Sequence, residues 1–268
     1  EYTRLHLFFV EQSVALQNRM FDLRYQIHPG FDDLFSKSIL PTTLALAQEE
    51  LVHPVKLRQA DPQRLTEVIS HASRGKLGAP RAEAILRSAQ HTFYLPYAPE
   101  AQSFNLKLMA QAHAYIADHL LPPLRARIEE GLQQISFPQH LNEIPYFGPI
   151  VTATFLAELG SPFWYRTVDS VVAWFGLDPS VSESADHTTG ISHLTKRGTK
   201  YGRRMMWLVA RNWSRYVSQG RRLYRKEREE NKLSYDAAIC VIAAKLVRIA
   251  FAMARDGSHF DMDTAFSS

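Results

Sequence analysis

The sequence predicts a mainly α-helical protein, on three observations. Apolar residues recur at helical spacing through most long segments, proline and capping residues open those segments, and 46% of the 268 residues are apolar. That apolar share is enough to build a real core, so disorder is not the default. The expected architecture is a helical arm or coiled-coil region over 1–137, followed over 138–268 by a helical domain that contains a helix-hairpin-helix and a short irregular or β-hairpin loop.

The first helix covers 1–27, where Leu5, Phe8, Phe9, Val14, Leu16, Met20, Leu23 and Ile27 follow helical spacing and His28-Pro29-Gly30 is the stop. The chain opens inside this pattern without an initiator Met, which reads as a piece of something longer. A short helix is expected over 41–51. Asp61-Pro62 is a helix start, an N-cap followed by proline in the first turn. Pro80 opens another helix, to about Gln90, after the flexible stretch between Gly75 and Gly78. Residues 100–134 are long and amphipathic, and Pro122-Pro123 must kink or split them. Paired with 1–27 they suit an antiparallel coiled-coil arm; ordinary core packing explains the same stripe equally well.

Around Pro138 the pattern changes. Ile144-Pro145-Tyr146-Phe147-Gly148-Pro149-Ile150-Val151 reads as a tight turn between two short helices, a helix-hairpin-helix pattern. Pro145 and Gly148 are its candidate nucleic-acid contacts. Gly148 lets the backbone come close to another backbone, and N–H groups at the following helix start can point at a phosphate. An ordinary αα-hairpin fits the same residues. Thr167 caps a helix over 168–175 that Gly176 closes. Residues 198–217 form a helix with one apolar and one cationic face; Trp207 is assigned to the core and Trp213 toward a base or sugar. The charge run 221–230 reads as a solvated turn or helix start. Ser234 and Asp236 cap a small aliphatic core helix over 237–255, ended by Gly257.

Composition excludes several classes. The single cysteine, Cys240, rules out an intramolecular disulfide or a Cys-rich zinc site, and its aliphatic setting makes it a packed thiol. No stretch offers the roughly 20 uncharged apolar residues of a membrane span, because Lys245 and Arg248 interrupt the longest apolar helix. Glu1 and Arg4 do not read as a secretory leader, so a cytoplasmic protein with no membrane partner is expected. The net charge is +4, yet 195–232 alone holds 13 Lys or Arg against 3 Glu, leaving the rest of the chain net negative. Such a block implies a polyanionic partner.

The chemistry is sought between Phe175 and Arg204. Ser180, Ser182 and Ser184 precede Lys196, Arg197, Lys200, Arg203 and Arg204, with Arg211 further along the same helix. Hydroxyls beside fixed cations suit a phosphodiester: a serine attacks phosphorus, and the cations hold the developing charge. A polar loop ahead of a basic helix fits the same residues. An isolated serine needs a base or a metal; Asp186, His187 and His193 are near in sequence, and the two histidines also fit as polar loop residues.

In order, Ile144-Pro145-x-x-Gly148-Pro149, Ala157-Glu158-Leu159-Gly160, Gly176-Leu177-Asp178-Pro179, Ser184-Ala185, Lys196-Arg197-Gly198 and Arg203-Arg204 resemble the C-terminal domain of an insertion-sequence transposase family. It is the family of the IS-one-hundred-ten, IS-one-sixteen and IS-nine-oh-two elements, which includes Piv-type DNA invertases. The resemblance implies a serine recombinase acting in DNA transposition, guided by a structured RNA of the element. It places the nucleophile at Ser184, with Ser182 as the alternative, because the family's Ser-Gly dipeptide reads Ser184-Ala185 here. Lys196, Arg197, Arg203 and Arg204 become phosphate or RNA contacts. It also implies an N-terminal RuvC-like domain whose acids hold Mg²⁺, and an arm between the two. Nothing in this sequence resembles that metal domain: Asp32, Asp33 and Asp61 lack its strand context. The chain is therefore expected to bind no cofactor itself, to assemble as a dimer or tetramer through the arm, and alone to bind DNA but cut it poorly. A non-catalytic nucleic-acid-binding module or a remnant is the competing reading.

Overall fold

The computed structural model describes residues 1–36, 40–94, 98–135, 140–177 and 198–266. Among the described residues the secondary structure is helical throughout, with no strand, in line with the mainly α expectation. The chain divides into two compact units, His6–Pro123 and Glu1–Leu5 with Leu124–Ser268.

The first unit holds α1 (Tyr2–Ile27) from His6 onward, then α2 (Pro41–Gln48), α3 (Pro54–Gln59), α4 (Pro62–Ala72), α5 (Ala79–His91) and α6 (Pro99–Tyr115). Each of the five helices from α2 to α6 has proline in its first two positions. Proline is suited there because its fixed φ is already helical and its missing N–H has no intrahelical partner to lose. The Asp61 carboxylate caps α4 by accepting the Gln63 N–H, as the sequence indicated. The His53 ring caps α3 in the same way, accepting the Val55 N–H. A π-helical turn at Ile116–Leu120 leads into α7 (Leu121–Gln133). Pro122 and Pro123 therefore sit in a first turn, and the expected disruption takes the form of a π turn just before them. The core joins Met20 and Ile27 of α1 to Leu46, Leu57, Leu65, Ile69, Ile85 and Leu106 from the other helices.

Several polar groups are sealed into this unit, each with a partner. Arg24, 0% exposed, pairs with Asp32 at 2.9 Å. Burial pushes the Asp32 carboxyl up, and Arg24 opposes that rise. The two ring nitrogens of His28 are hydrogen-bonded to the Val52 carbonyl at 2.8 Å and the Ser88 hydroxyl at 3.0 Å. His53 meets Gln102 through Nε2, and His113 meets Ser13 through Nδ1. Burial lowers the pKa of all three histidines.

The second unit is organised around α12 (Tyr235–Asp256), whose N-cap Ser234 accepts the Ala237 N–H and whose C-terminus Gly257 closes in the left-handed region. Its length and hydropathy match those of a membrane span. Here that apolar surface is core, with Ile239, Ile242, Leu246, Val247, Ala250 and Phe251 all buried. Against α12 pack α9 (Val168–Trp174), α10 (Lys200–Tyr216) and α11 (Ser218–Glu229), while α10 also packs on α8 (Pro149–Leu159). The charge run 221–230 thus lies mostly in a formed helix. Cys240 is buried, and burial pushes its thiol up. A short α13 (Met262–Phe266), not foreseen from the sequence, lays Phe266 on Trp213.

A depressed histidine pKa means that the unfolded chain takes up protons first as pH falls. The contribution of neutral His28, His53 and His113 is complete above the ordinary histidine value of about 6.5 and declines below it. Thermal melting of the His6–Pro123 unit should fall between pH 7 and pH 5.5, where carboxylates barely titrate, and His28→Gln should flatten that fall. A melting temperature constant across this window contradicts the assignment.

Candidate functional site

The site is assembled where three helices of the second unit meet. α9 ends at Trp174, and Gly176 (φ +65°) turns the chain so that Leu177 is buried and its N–H donates to the Val172 carbonyl at 3.1 Å. The chain re-enters at Gly198, and the Thr199 N–H donates to the Trp174 carbonyl at 2.8 Å. The described residues that flank 178–197 are therefore tied together at a fixed base. Gly198 has φ +91°, and a Cβ there would lie 2.0 Å from the Trp174 carbonyl oxygen. Both the backbone conformation and the close approach demand glycine. One turn on, a Cβ at Gly202 would lie 2.7 Å from the Phe175 ring, so α10 packs directly on the end of α9.

The Thr199 hydroxyl does two things. It accepts the Gly202 N–H at 3.1 Å, capping α10, and it donates to the Glu158 carboxylate at 2.6 Å. Glu158 stands near the end of α8, its side chain 2% exposed. Its carboxylate also accepts two bonds from Arg4, at 2.8 and 3.1 Å, and its backbone carbonyl accepts the Trp174 indole N–H at 2.7 Å. Burial acts to raise the Glu158 pKa, but Arg4 and Thr199 outweigh it and hold the carboxyl below its usual range. The Arg4 guanidinium and the Lys200 ammonium each lie 5.0 Å from the centre of the Tyr201 ring.

From this base α10 carries Lys200, Arg204 and Arg215 outward as exposed residues, with Arg203 and Arg211 partly buried. Arg203 Nη1 and Arg211 Nε are buried without a hydrogen-bond partner among the described residues. Arg211 lies 5.8 Å from the centre of the Trp207 ring. At the far end of α10, Trp213 is 0% exposed and its indole N–H donates to the Pro145 carbonyl at 2.7 Å. This corrects the sequence assignment: Trp213 continues the Met206, Val209 stripe and is a core residue, whereas Trp207 is only partly buried.

The bond from Trp213 fixes the turn at Ile144–Gly148, where the Phe147 N–H closes on the Ile144 carbonyl at 2.9 Å and Tyr146 takes φ +70°. The element ahead of the turn is a single 3-10 turn, Leu141–Glu143, so the described geometry is a tight turn feeding one helix. Gly148 is the N-cap of α8 at φ −71°, with open space where a Cβ would stand. Neither its conformation nor its packing requires glycine.

These contacts divide the predicted residues into two groups. Lys200, Arg203 and Arg204 stand at the loop base, while Pro145 and Gly148 stand near Trp213 at the other end of α10. Fourteen residues of helix rise separate Thr199 from Trp213, roughly 21 Å; Arg211 lies towards the turn. Ser184, Ser182, Lys196 and Arg197, with Asp186, His187 and His193, lie outside the described residues. Sequence reasoning missed the roles of Arg4 and Thr199. It quoted Glu158 only within a motif, although a lone carboxylate in the apolar run Ala153 to Leu159 was the available signal.

Comparison with known proteins agrees with the motif reading. Residues 138–225 match the family model described as "Transposase IS116/IS110/IS902 family". The match runs from the turn through α8, α9 and α10 into α11, and so contains both groups of residues. The chain is also 26% identical over 255 residues to the "Insertion element IS116 uncharacterized 44.8 kDa protein" of Streptomyces clavuligerus, covering 94% of this chain and 62% of that protein. The chain thus spans less than two thirds of that relative's length.

Removing one partner of the Arg4–Glu158 pair should be asymmetric. Arg4→Ala leaves a buried carboxylate without its countercharge and should cost about 2–3 kcal/mol. Glu158→Gln removes that charge while keeping the shape, and should cost about 1–2 kcal/mol. Denaturant unfolding of the two variants and of the double variant checks this; equal single costs that simply add contradict it. The depressed Glu158 pKa has a defined sign: its stabilisation is complete above the ordinary glutamate value of about 4.3 and is lost as pH falls through the lower folded value.

Proposed function

We propose that this chain is the arm region and C-terminal part of a DNA transposase of an insertion element, a Piv-type serine recombinase, acting in the cytoplasm. The carrying observation is the closed base of the segment 178–197. Its two ends meet at Trp174 and Thr199, and the helix that begins there starts with Lys200, Arg203 and Arg204. The residue that closes this base, Thr199, opens a helix N-terminus with three cations, a setting that favours a phosphate.

In this reading the Ser184 oxygen attacks a DNA phosphorus and displaces one sugar hydroxyl, which takes up a proton as the serine gives one up. A phosphoserine bond replaces the broken phosphodiester bond. Attack by a sugar hydroxyl of the other strand reverses the step, so strands are exchanged without net hydrolysis. Lys200, Arg203 and Arg204, with Lys196 and Arg197, stabilise the charge on phosphorus. The turn at Pro145 and Gly148 with Arg211, roughly 20 Å along α10, grips the backbone at a second place, on DNA or on a structured guide RNA. Pairing of arms would give a dimer or tetramer.

The family resemblance also carries Mg²⁺, and neither Asp32 nor Asp61 is free to hold it. Asp32 is committed to Arg24 and Asp61 to the α4 cap. No step is assigned to the ion here.

In the full-length protein, Ser184→Ala should abolish strand exchange while DNA affinity stays within about twofold. Unchanged strand exchange leaves only a binding role for this chain. Arg204→Ala should lower the slope of log affinity against log salt by about 1, the value of one phosphate contact. An unchanged slope removes Arg204 from the interface.

A further inference from the structure

We infer that His140, Glu143 and His259 form a zinc site that staples the segment after α12 to the entrance of the Ile144–Gly148 turn. The ligand atoms of these three residues lie within 4.8 Å of one another. Two imidazoles converge on one carboxylate oxygen: the Nδ1 atoms of His259 and His140 are 2.8 and 3.5 Å from Glu143 Oε1. With arms of about 2.0–2.1 Å, a tetrahedral zinc ion sets its ligand atoms roughly 3.3 Å apart. The two separations bracket that edge, and the stacked rings, 3.7 Å apart, must swing apart to aim both nitrogens at one ion, a movement open to the exposed His259 side chain.

The carboxylate is already aimed. Its second oxygen accepts the Phe260 N–H at 3.0 Å, which leaves Oε1 to the two rings. An outer hydrogen bond of this kind fixes a ligand before the ion arrives. The two rings are neighbours, with centroids 3.7 Å apart and planes 31° from parallel. Two neutral imidazoles and one carboxylate are a donor set that zinc accepts, leaving a fourth position for water. His259 is 72% exposed at its side chain, so an ion can enter from solvent.

The position gives the site its purpose. His140 precedes and Glu143 ends the 3-10 turn directly ahead of Ile144, while His259 lies 116 residues beyond Glu143, between α12 and α13. One ion joins these distant segments at the rim of the core that holds the turn. This function rests on this chain alone and is independent of strand exchange.

The test is calorimetric titration of the untagged, chelator-treated chain with zinc chloride. One equivalent should bind, and the melting temperature should rise with zinc concentration. His259→Ala and Glu143→Gln should each weaken binding at least tenfold with helix content unchanged by circular dichroism. His91→Ala, an exposed histidine elsewhere, should change nothing. Absence of saturable 1:1 binding, or affinity that survives both His259→Ala and Glu143→Gln, overturns the inference.

Discussion

The backbone hydrogen bond from Thr199 to Trp174, with Gly198 pressed against the same carbonyl, is the contact on which the C-terminal unit turns. Bringing Leu177 and Gly198 together across the intervening chain costs entropy. Here the cost is met locally, by a bond, a cap and a close packing contact within five residues. Glu158 secures the arrangement from below, because one carboxylate receives Arg4 and Thr199 while its carbonyl receives Trp174. A shift at any of these residues moves the start of α10, and with it Lys200 and Arg204.

The helix that leaves this base separates two demands. Met206, Val209, Ala210 and Trp213 are spent on the core with α12, so the opposite side is left to cations. A basic block does not by itself locate a binding surface. On α10 the apolar stripe decides which side is left to solvent.

Much of this was legible in the sequence where the signal is local. Asp61, Ser234 and Thr167 cap the helices they were expected to cap, since a cap depends only on residues two or three positions away. Gly198 was quoted within a motif, and the structure supplies its reason. Contacts between distant residues were not legible: Arg4 and Glu158 are 154 positions apart, and His259 and Glu143 are 116 apart. Trp213 was readable and misassigned, because its indole suggested a base while its spacing from Met206 and Val209 already placed it inside. The family motifs carried the functional reading to Ser184, which lies outside the described residues.

The most direct test of the anchored base is amide hydrogen exchange at Thr199, compared between the native chain and Gly198→Ala. The account predicts a strongly protected Thr199 N–H in the native chain and loss of that protection in the variant, with Leu106 and Ile85 of the other unit unaffected. A Thr199 amide that exchanges freely in the native chain, or one that stays protected in Gly198→Ala, contradicts it.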